Sequence, residues 1–91
     1  MYAAIGQAAG DTASAAMMAS DKRVKKNIVK LDNINGINVY EFEYKEEYNL
    51  PEGKHIGVMA QEVEHIPNAV IYKDGIRHVN YDIIKEKMRA A

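Results

Sequence analysis

The clearest pattern of hydrophobic and polar positions lies between Ile37 and Lys45. Tyr40, Phe42 and Tyr44 alternate there with glutamates, so one side of the segment is aromatic and the other is acidic. Alternation of this kind predicts a β-strand. Three large rings at a period of two bury well, so we expect the aromatic side to form core or interface. A carbohydrate-binding stripe is the sharper alternative, but no second aromatic strand accompanies it.

A short strand and a short helix are predicted next. His55–Val58 is the strand, and Gly57 within it indicates close approach of another part of the chain to the backbone. The helix covers residues 59–66 and ends at Pro67, because its apolar residues are spaced four and three positions apart. These residues are Met59, Val63 and Ile66.

The C-terminal part carries a hairpin signal and a helix start. Asp74-Gly75 separates two apolar runs, residues 70–73 and 76–79, and two residues of this type between such runs predict a tight β-hairpin. Asp82 is placed to cap a terminal helix over Ile83–Arg89.

The segment from Asp21 to Gly36 is polar and basic. Val24, Ile28 and Leu31 are four and three positions apart, which suits one amphipathic helical turn, and residues 32–36 read as a loop. The cluster contains five basic residues, Lys22, Arg23, Lys25, Lys26 and Lys30. Such a cluster suggests a nucleic-acid patch, but no aromatic residues are interleaved with it. We therefore interpret it as a solvated turn that leads into a strand or short helix.

Residues 1–19 have a different composition from the rest. They include eight alanines and two glycines, with Asp11 as the one formal charge. Asp11 or Thr12 is placed to cap a short helix over Ala13–Ala19. Its faces are small, so it suits close packing against copies of itself or a partner's groove. A frayed tail is the alternative.

Length and charge restrict the class of protein. A chain of 91 residues without cysteine has one domain at most and no disulfide or thiolate metal site. Its net charge of −1 favours neither nucleic acid nor a membrane surface as partner. Because so short a chain buries little core, we expect it to oligomerise.

Metal and cofactor sites are not predicted. His55, Glu62, Glu64 and His65 lie near one another in sequence, but the spacing of a His-Glu-x-x-His site is missing. We therefore predict no metal and no cofactor.

The predicted fold is of the α+β class. It has a small antiparallel sheet with hairpins, a short internal helix and a C-terminal helix, preceded by the alanine-rich segment. We divide the chain into residues 1–19, an anchor or oligomerisation segment, and residues 20–91, the folded domain. A serine, Ser20, stands at the boundary and Lys25 follows five residues later. Taken alone, this spacing occurs often by chance in lysine-rich turns.

Four sequence blocks in order carry a family resemblance. They are SDKRVKKNI, NVYEFEY, GKHIGVMAQEVEHIPNAV, and the Asp74-Gly75 hairpin with VNYD. Together they run from Ser20 to about Lys87 and resemble the C-terminal intramolecular chaperone domain of bacteriophage tailspikes and tail fibres. This is the endosialidase chaperone, or peptidase S74, family.

The resemblance implies a trimer that sets the register of the fibre preceding it and then cuts itself off. The matching residues are Ser20 as nucleophile and Lys25 as base, with cleavage between Ala19 and Ser20. It implies a homotrimer in the virion, in a phage tail or fibre, assembled in the host cytoplasm. Residues 1–19 would contact other tail proteins.

The chemistry requires a neutral lysine beside the serine, because a hydroxyl is a weak nucleophile without a base. Lowering a lysine pKa from about 10.4 to near 7 takes about 4 kcal/mol. We expect desolvation to supply most of it, through burial in the trimer, with help from Lys22, Arg23 and Lys26 and opposition from Asp21. Asn27 is the candidate for an ordering or oxyanion-stabilising group.

An uncleaved role is the alternative. Members of this family usually follow a long fibrous protein and continue into a coiled coil, whereas nineteen residues precede Ser20 here. The alternative function is therefore an uncleaved structural component of a phage tail or fibre that retains the fold.

Overall fold

Two antiparallel three-stranded sheets and two helices form the fold in a computed structural model that describes residues 17–89. The strands are β1 (Met17–Ala19), β2 (Lys25–Ile34), β3 (Ile37–Tyr44), β4 (His55–Gly57), β5 (Val70–Lys73) and β6 (Ile76–Asn80). The helices are α1 (Ala60–Val63) and α2 (Tyr81–Arg89). The strand order is β2-β3-β4 in the first sheet and β1-β6-β5 in the second. The predicted α+β class is confirmed.

Two tight hairpins organise the sheets. Asp74 and Gly75 join β5 to β6 with φ values of 54° and 76°, so the predicted hairpin is confirmed. Asn35 and Gly36 join β2 to β3 in the same way, with φ values of 56° and 87°. Positive φ at both central residues is typical of the turn that matches the twist of a two-residue hairpin. The predicted loop over residues 32–36 is therefore only this turn, since β2 continues to Ile34.

The predicted helix over Ala13–Ala19 is wrong where the structure describes it. Residues 17–19 form β1, and Met18 pairs with Val79 of β6; residues 13–16 lie outside the described part. The helix preference of alanine is weak, since it exceeds that of most other residues by less than about 1 kcal/mol per residue. Pairing with β6 supplies backbone hydrogen bonds and buries Ala19, and this tertiary contact overrides the local preference.

The helical turn predicted from Val24, Ile28 and Leu31 is also wrong. A 3-10 turn, Lys22–Val24, leads directly into β2, which pairs with β3 along its length. The pairing register shifts twice, between Lys26 and Val29 and between Lys30 and Asp32. Bulges of this kind break the two-residue alternation of a strand, so the apolar positions of β2 resemble a helical spacing.

The helices are shorter or capped differently than predicted. α1 has four residues, although the predicted apolar positions Met59, Val63 and Ile66 are all buried. The side chain of Asn80, not of Asp82, caps α2: its Oδ1 accepts from the backbone N–H groups of Asp82 and Ile83. Neither described helix is long and apolar enough to cross a lipid bilayer.

The buried residues form two clusters. The main core contains residues of α1, α2 and β6, including Val63, Val79 and Ile84. The lesser core consists of Ala19, Val24, Phe42, Tyr44 and Met59. The strand β3 serves both, because Ile37 and Val39 lie in the main core while Phe42 and Tyr44 lie in the lesser core. The expected burial of the aromatic row is thus confirmed for Phe42 and Tyr44.

Candidate active site at the Ala19–Ser20 bond

The peptide bond between Ala19 and Ser20 is held on both sides. The hydroxyl of Tyr44 donates to the carbonyl oxygen of Ala19 at 2.6 Å, and the N–H of Ser20 donates to the carbonyl of Arg77 at 3.1 Å. The carbonyl of Ser20 accepts from the N–H of Ala60 at 2.8 Å. Ser20 is completely buried, so the bond lies inside the domain and in a fixed orientation.

The hydroxyl of Ser20 is bonded to a tyrosine. Its Oγ lies 2.5 Å from the hydroxyl oxygen of Tyr81, and that oxygen also accepts from the N–H of Val58 at 3.1 Å. Tyr81 fits because residue 57 is glycine: a Cβ there would lie 2.5 Å from the Tyr81 hydroxyl oxygen and 3.2 Å from the ring of Phe42. The predicted close approach at Gly57 is confirmed.

Lys25, the first residue of β2, has its amino group inside the protein. The residue is 3% exposed, and its Nζ donates to the carbonyl of Val58 at 2.6 Å. The same nitrogen lies 3.7 Å from the centre of the Phe42 ring. Burial lowers the pKa of Lys25 well below its ordinary value, although the negative charges of Asp21 and Glu62 act in the opposite direction.

This burial needs no second copy of the chain. We expected assembly of a trimer to desolvate Lys25, but the fold of one chain already does so. Burial is the one cause that lowers the pKa of Lys25, and the expected help from Lys22, Arg23 and Lys26 is not found among its causes. Arg23, one of the cations expected to assist, is bonded to Asp21.

Ser20 and Lys25 belong to one hydrogen-bonded network, but they are not bonded directly to each other. The link between them passes through the hydroxyl of Tyr81 and the peptide groups on either side of Val58, whose N–H faces Tyr81 and whose carbonyl faces Lys25. In the described part of the chain, no hydrogen bond joins the serine and the lysine directly.

Asp21 explains how two residues five apart come together. Its carboxylate caps the 3-10 turn that lies between Ser20 and Lys25, accepting from the N–H of Arg23 at 3.0 Å. Side-chain donors complete the set: Arg23, Gln61 and Arg77. The hydrogen bonds from Arg23 are the main reason that the pKa of Asp21 lies far below its usual range. The turn that returns the chain to the site is therefore fixed by a charged, fully bonded group.

Asn27 lies elsewhere. It adopts a positive φ of 53° between the two paired stretches of β2, and its amide donates to the carboxylate of Glu43 at 2.7 Å on the exposed surface. The structure does not place Asn27 at the Ala19–Ser20 bond. The hydroxyl of Tyr44 donates to the carbonyl oxygen of Ala19 there. Within residues 17–89 there is also no group of three His, Asp or Glu side chains suited to a metal ion.

Two site residues, Tyr44 and Tyr81, were not predicted. Tyr44 was identified only as part of a buried aromatic row, because an alternating pattern shows which face is buried and not what the hydroxyl contacts. Tyr81 is the third residue of the VNYD block, 61 positions from Ser20. Only the fold shows that contact.

Comparison with known proteins agrees with these observations. Residues 20–71 match the peptidase S74 family, described as the chaperone of endosialidase. No curated protein and no solved structure matches the chain. The family match begins at Ser20 and covers more than half of the 91 residues, including Lys25 and Tyr44. The chain therefore belongs to the peptidase S74 family of endosialidase chaperones.

Proposed function

We propose that this chain is an intramolecular chaperone domain of a phage tail or fibre protein that promotes trimer assembly and cleaves itself between Ala19 and Ser20. Its family supports the chaperone role. The observation that supports cleavage is the burial of Lys25, whose amine is linked to the Ser20 hydroxyl through Val58 and Tyr81. Its pKa is lowered towards the range in which an amine acts as a base. The domain works in the virion after assembly in the host cytoplasm, and residues 1–19 join it to other tail proteins.

The first step is an acyl shift from nitrogen to oxygen. Neutral Lys25 takes the proton of the Ser20 hydroxyl as Oγ bonds to the carbonyl carbon of Ala19. The carbon–nitrogen bond then breaks, and the proton passes from Lys25 to the departing nitrogen. The product is an ester between Ala19 and the Ser20 oxygen, with a free α-amine on Ser20.

The second step is hydrolysis. Water adds to the ester carbonyl, and the bond to Oγ breaks. This step leaves a carboxylic acid on Ala19, which ionises, and restores the Ser20 hydroxyl. The lysine returns to its starting state, and the chain has been cut once with water as the only reactant consumed.

The starting hydrogen bond of Ser20 must change for this to occur. The hydroxyl faces Tyr81 in the intact chain. Proton transfer to Lys25 therefore requires rotation of the serine side chain or passage of the proton through the Tyr81 hydroxyl. The absence of a direct bond between Ser20 and Lys25 favours the second candidate function, an uncleaved structural trimer of a phage tail or fibre.

Mass spectrometry of freshly translated full-length protein separates the two candidates. We expect a fragment that begins at Ser20, and its loss in Ser20→Ala and in Lys25→Met. Lys26→Met is the matched control, because Lys26 is the next residue of β2 and faces Glu46 at 4.0 Å. Cleavage should persist in that variant. An intact wild-type chain after days in solution would instead support the structural candidate.

Trimer assembly has its own test. Native mass spectrometry of the Ser20→Ala chain, which stays whole, should give the mass of three chains of 10.2 kDa each. A monomer at micromolar concentration would contradict the assembly role and leave the cleavage result unaffected.

A further inference from the structure

We propose that Tyr44 is a catalytic residue of the self-cleavage, and that its hydroxyl donates the hydrogen bond that stabilises the oxyanion on Ala19. This inference rests on the proposed cleavage at Ala19–Ser20. It assigns stabilisation of the oxyanion, a task that neither Ser20 nor Lys25 performs, to a third residue.

The position of the hydroxyl is the first argument. It donates to the Ala19 carbonyl oxygen at 2.6 Å in the intact chain. When Oγ of Ser20 attacks the carbonyl carbon, negative charge develops on that same oxygen. A donor aimed at it beforehand gains strength as the charge grows, since hydrogen bonds to ionised acceptors are about twice as strong as neutral ones.

The strand register is the second argument. Tyr44 is paired directly with Lys25 across β3 and β2. One cross-strand pair thus carries both the proposed base and the proposed oxyanion donor. Among the described residues, Tyr44 is also the one side chain that donates to the Ala19 oxygen. Asn27, the residue expected in this role, donates to Glu43 instead.

The rigidity of the ring is the third argument. Tyr44 is 7% exposed and packs edge-on against Phe42, with ring centres 5.3 Å apart, and against His55 at 5.0 Å. These contacts fix the hydroxyl without any reorganisation at the moment of attack. Burial also raises the pKa of Tyr44, so the phenol keeps its proton in the pH range in which Lys25 acts.

The test compares two tyrosines. Tyr44→Phe removes the hydroxyl and retains the ring contacts. Tyr72→Phe is the control, because Tyr72 is exposed and its hydroxyl donates to Glu64 at 3.5 Å. Cleavage of the full-length chain is followed by mass spectrometry during pulse-chase in a cell-free translation. We expect the rate to fall about 100- to 1,000-fold in Tyr44→Phe, the usual loss of one oxyanion donor. It should change less than about twofold in Tyr72→Phe, a surface substitution.

A pH profile distinguishes catalysis from a structural role. Loss of the oxyanion donor lowers the maximal rate and leaves the midpoint set by Lys25 in place. A disturbed fold that admits water would raise that midpoint, because solvation restores the lysine pKa. A shifted midpoint with an unchanged maximal rate would overturn the proposal.

A second variant guards against misfolding of Tyr44→Phe. 3-Fluorotyrosine incorporated at position 44 keeps the ring and the hydroxyl but is a more acidic donor. We expect cleavage about twofold faster, or more, below the pH at which it ionises. A rate equal to that of the wild type would overturn the inference.

The failures are distinguishable. Wild-type cleavage in Tyr44→Phe, with no cleavage in Ser20→Ala, would overturn the role of Tyr44 and keep the proposed function. An intact wild-type chain would overturn both.

Discussion

Lys25 shows how one residue can oppose the stability of its own fold. Its amine is buried beside Phe42 and bonded to a single carbonyl, that of Val58. The unfolded chain binds a proton at this position more readily than the folded chain, because the folded-state pKa is lowered. The residue therefore costs stability at neutral pH, as groups prepared for chemistry often do.

The first prediction concerns this cost. In the Ser20→Ala background, stability should rise with pH between the lowered folded-state pKa of Lys25 and about 10.4, where the unfolded lysine loses its proton. Lys25→Met should raise the free energy of unfolding at pH 7, because the folded chain no longer buries a group that prefers to be charged, and should remove the slope. Urea denaturation at several pH values measures both. A slope that persists in Lys25→Met would show that another group causes it.

The second prediction concerns Gly57. Its missing Cβ leaves the space that the hydroxyl of Tyr81 occupies, 2.5 Å from where a Cβ would lie. Gly57→Ala should destabilise the domain by about 1–3 kcal/mol, as overpacking does. Displacing Tyr81 should slow cleavage if the proton passes through its hydroxyl, and should speed cleavage if the serine side chain rotates to Lys25. Thermal unfolding and the cleavage rate are the measurements. Gly53→Ala is the contrast for the cleavage rate. Its positive φ strains any side chain there, by about 1–2 kcal/mol, but no atom lies within 4 Å of a Cβ, so cleavage should be unchanged.

At the residue level, sequence suggested the candidate residues of the site but not their geometry. Ser20 and Lys25 could be named from their resemblance to a family, and Gly57 from its position in a strand. The opposing effect of Asp21 on the Lys25 pKa was also predicted, and is found. Tyr44 and Tyr81 could not be assigned, because contacts over 25 and 61 positions depend on how the two sheets meet.

At the level of elements, regular patterns were predictable and irregular ones were not. β3 and the β5–β6 hairpin follow simple rules of alternation and turn chemistry. β2 does not, since it contains two register shifts and mostly exposed residues, so no buried face marks it as a strand. The Asn35-Gly36 pair was the available signal for a hairpin here.

The third prediction tests the cap of α2. Asn80→Ala should cost about 1 kcal/mol, because Oδ1 of Asn80 accepts from the backbone N–H groups of Asp82 and Ile83. Asp82→Ala is the control and should cost about 0.3–1 kcal/mol, the usual value of a carboxylate in a first helical turn. Chemical denaturation of both variants measures which substitution lowers the free energy of unfolding more. A larger loss of stability in Asp82→Ala would show that Asp82 is the main cap.

For the whole molecule, the site and the assembly are separable. One chain already buries Lys25 and fixes the Ala19–Ser20 peptide. Desolvation alone therefore gives no reason for cleavage to wait for the trimer. The strands β3 to β6 could be predicted from sequence, but β1, β2 and the division of the core into two clusters could not.

The strand β1 has a consequence for the proposed cleavage. It precedes the Ala19–Ser20 bond but belongs to the sheet of the domain that follows, since Met17, Met18 and Ala19 pair with β6. Hydrolysis would thus produce a nicked complex whose upstream piece is retained by three paired residues and the Tyr44 contact. Release of the upstream fragment would then be a separate step from hydrolysis, with its own rate.

The fourth prediction follows from this nicked complex. A denaturing gel should show two fragments while native mass spectrometry of the same sample still shows them together. Met18→Lys, which places a charge beside the main core, should shorten the lifetime of the complex. Simultaneous appearance of free fragments in both assays would mean that β1 does not retain the product. Retention would mean that the two products separate only when β1 dissociates from β6, so the lifetime of this strand pairing would set the time of separation.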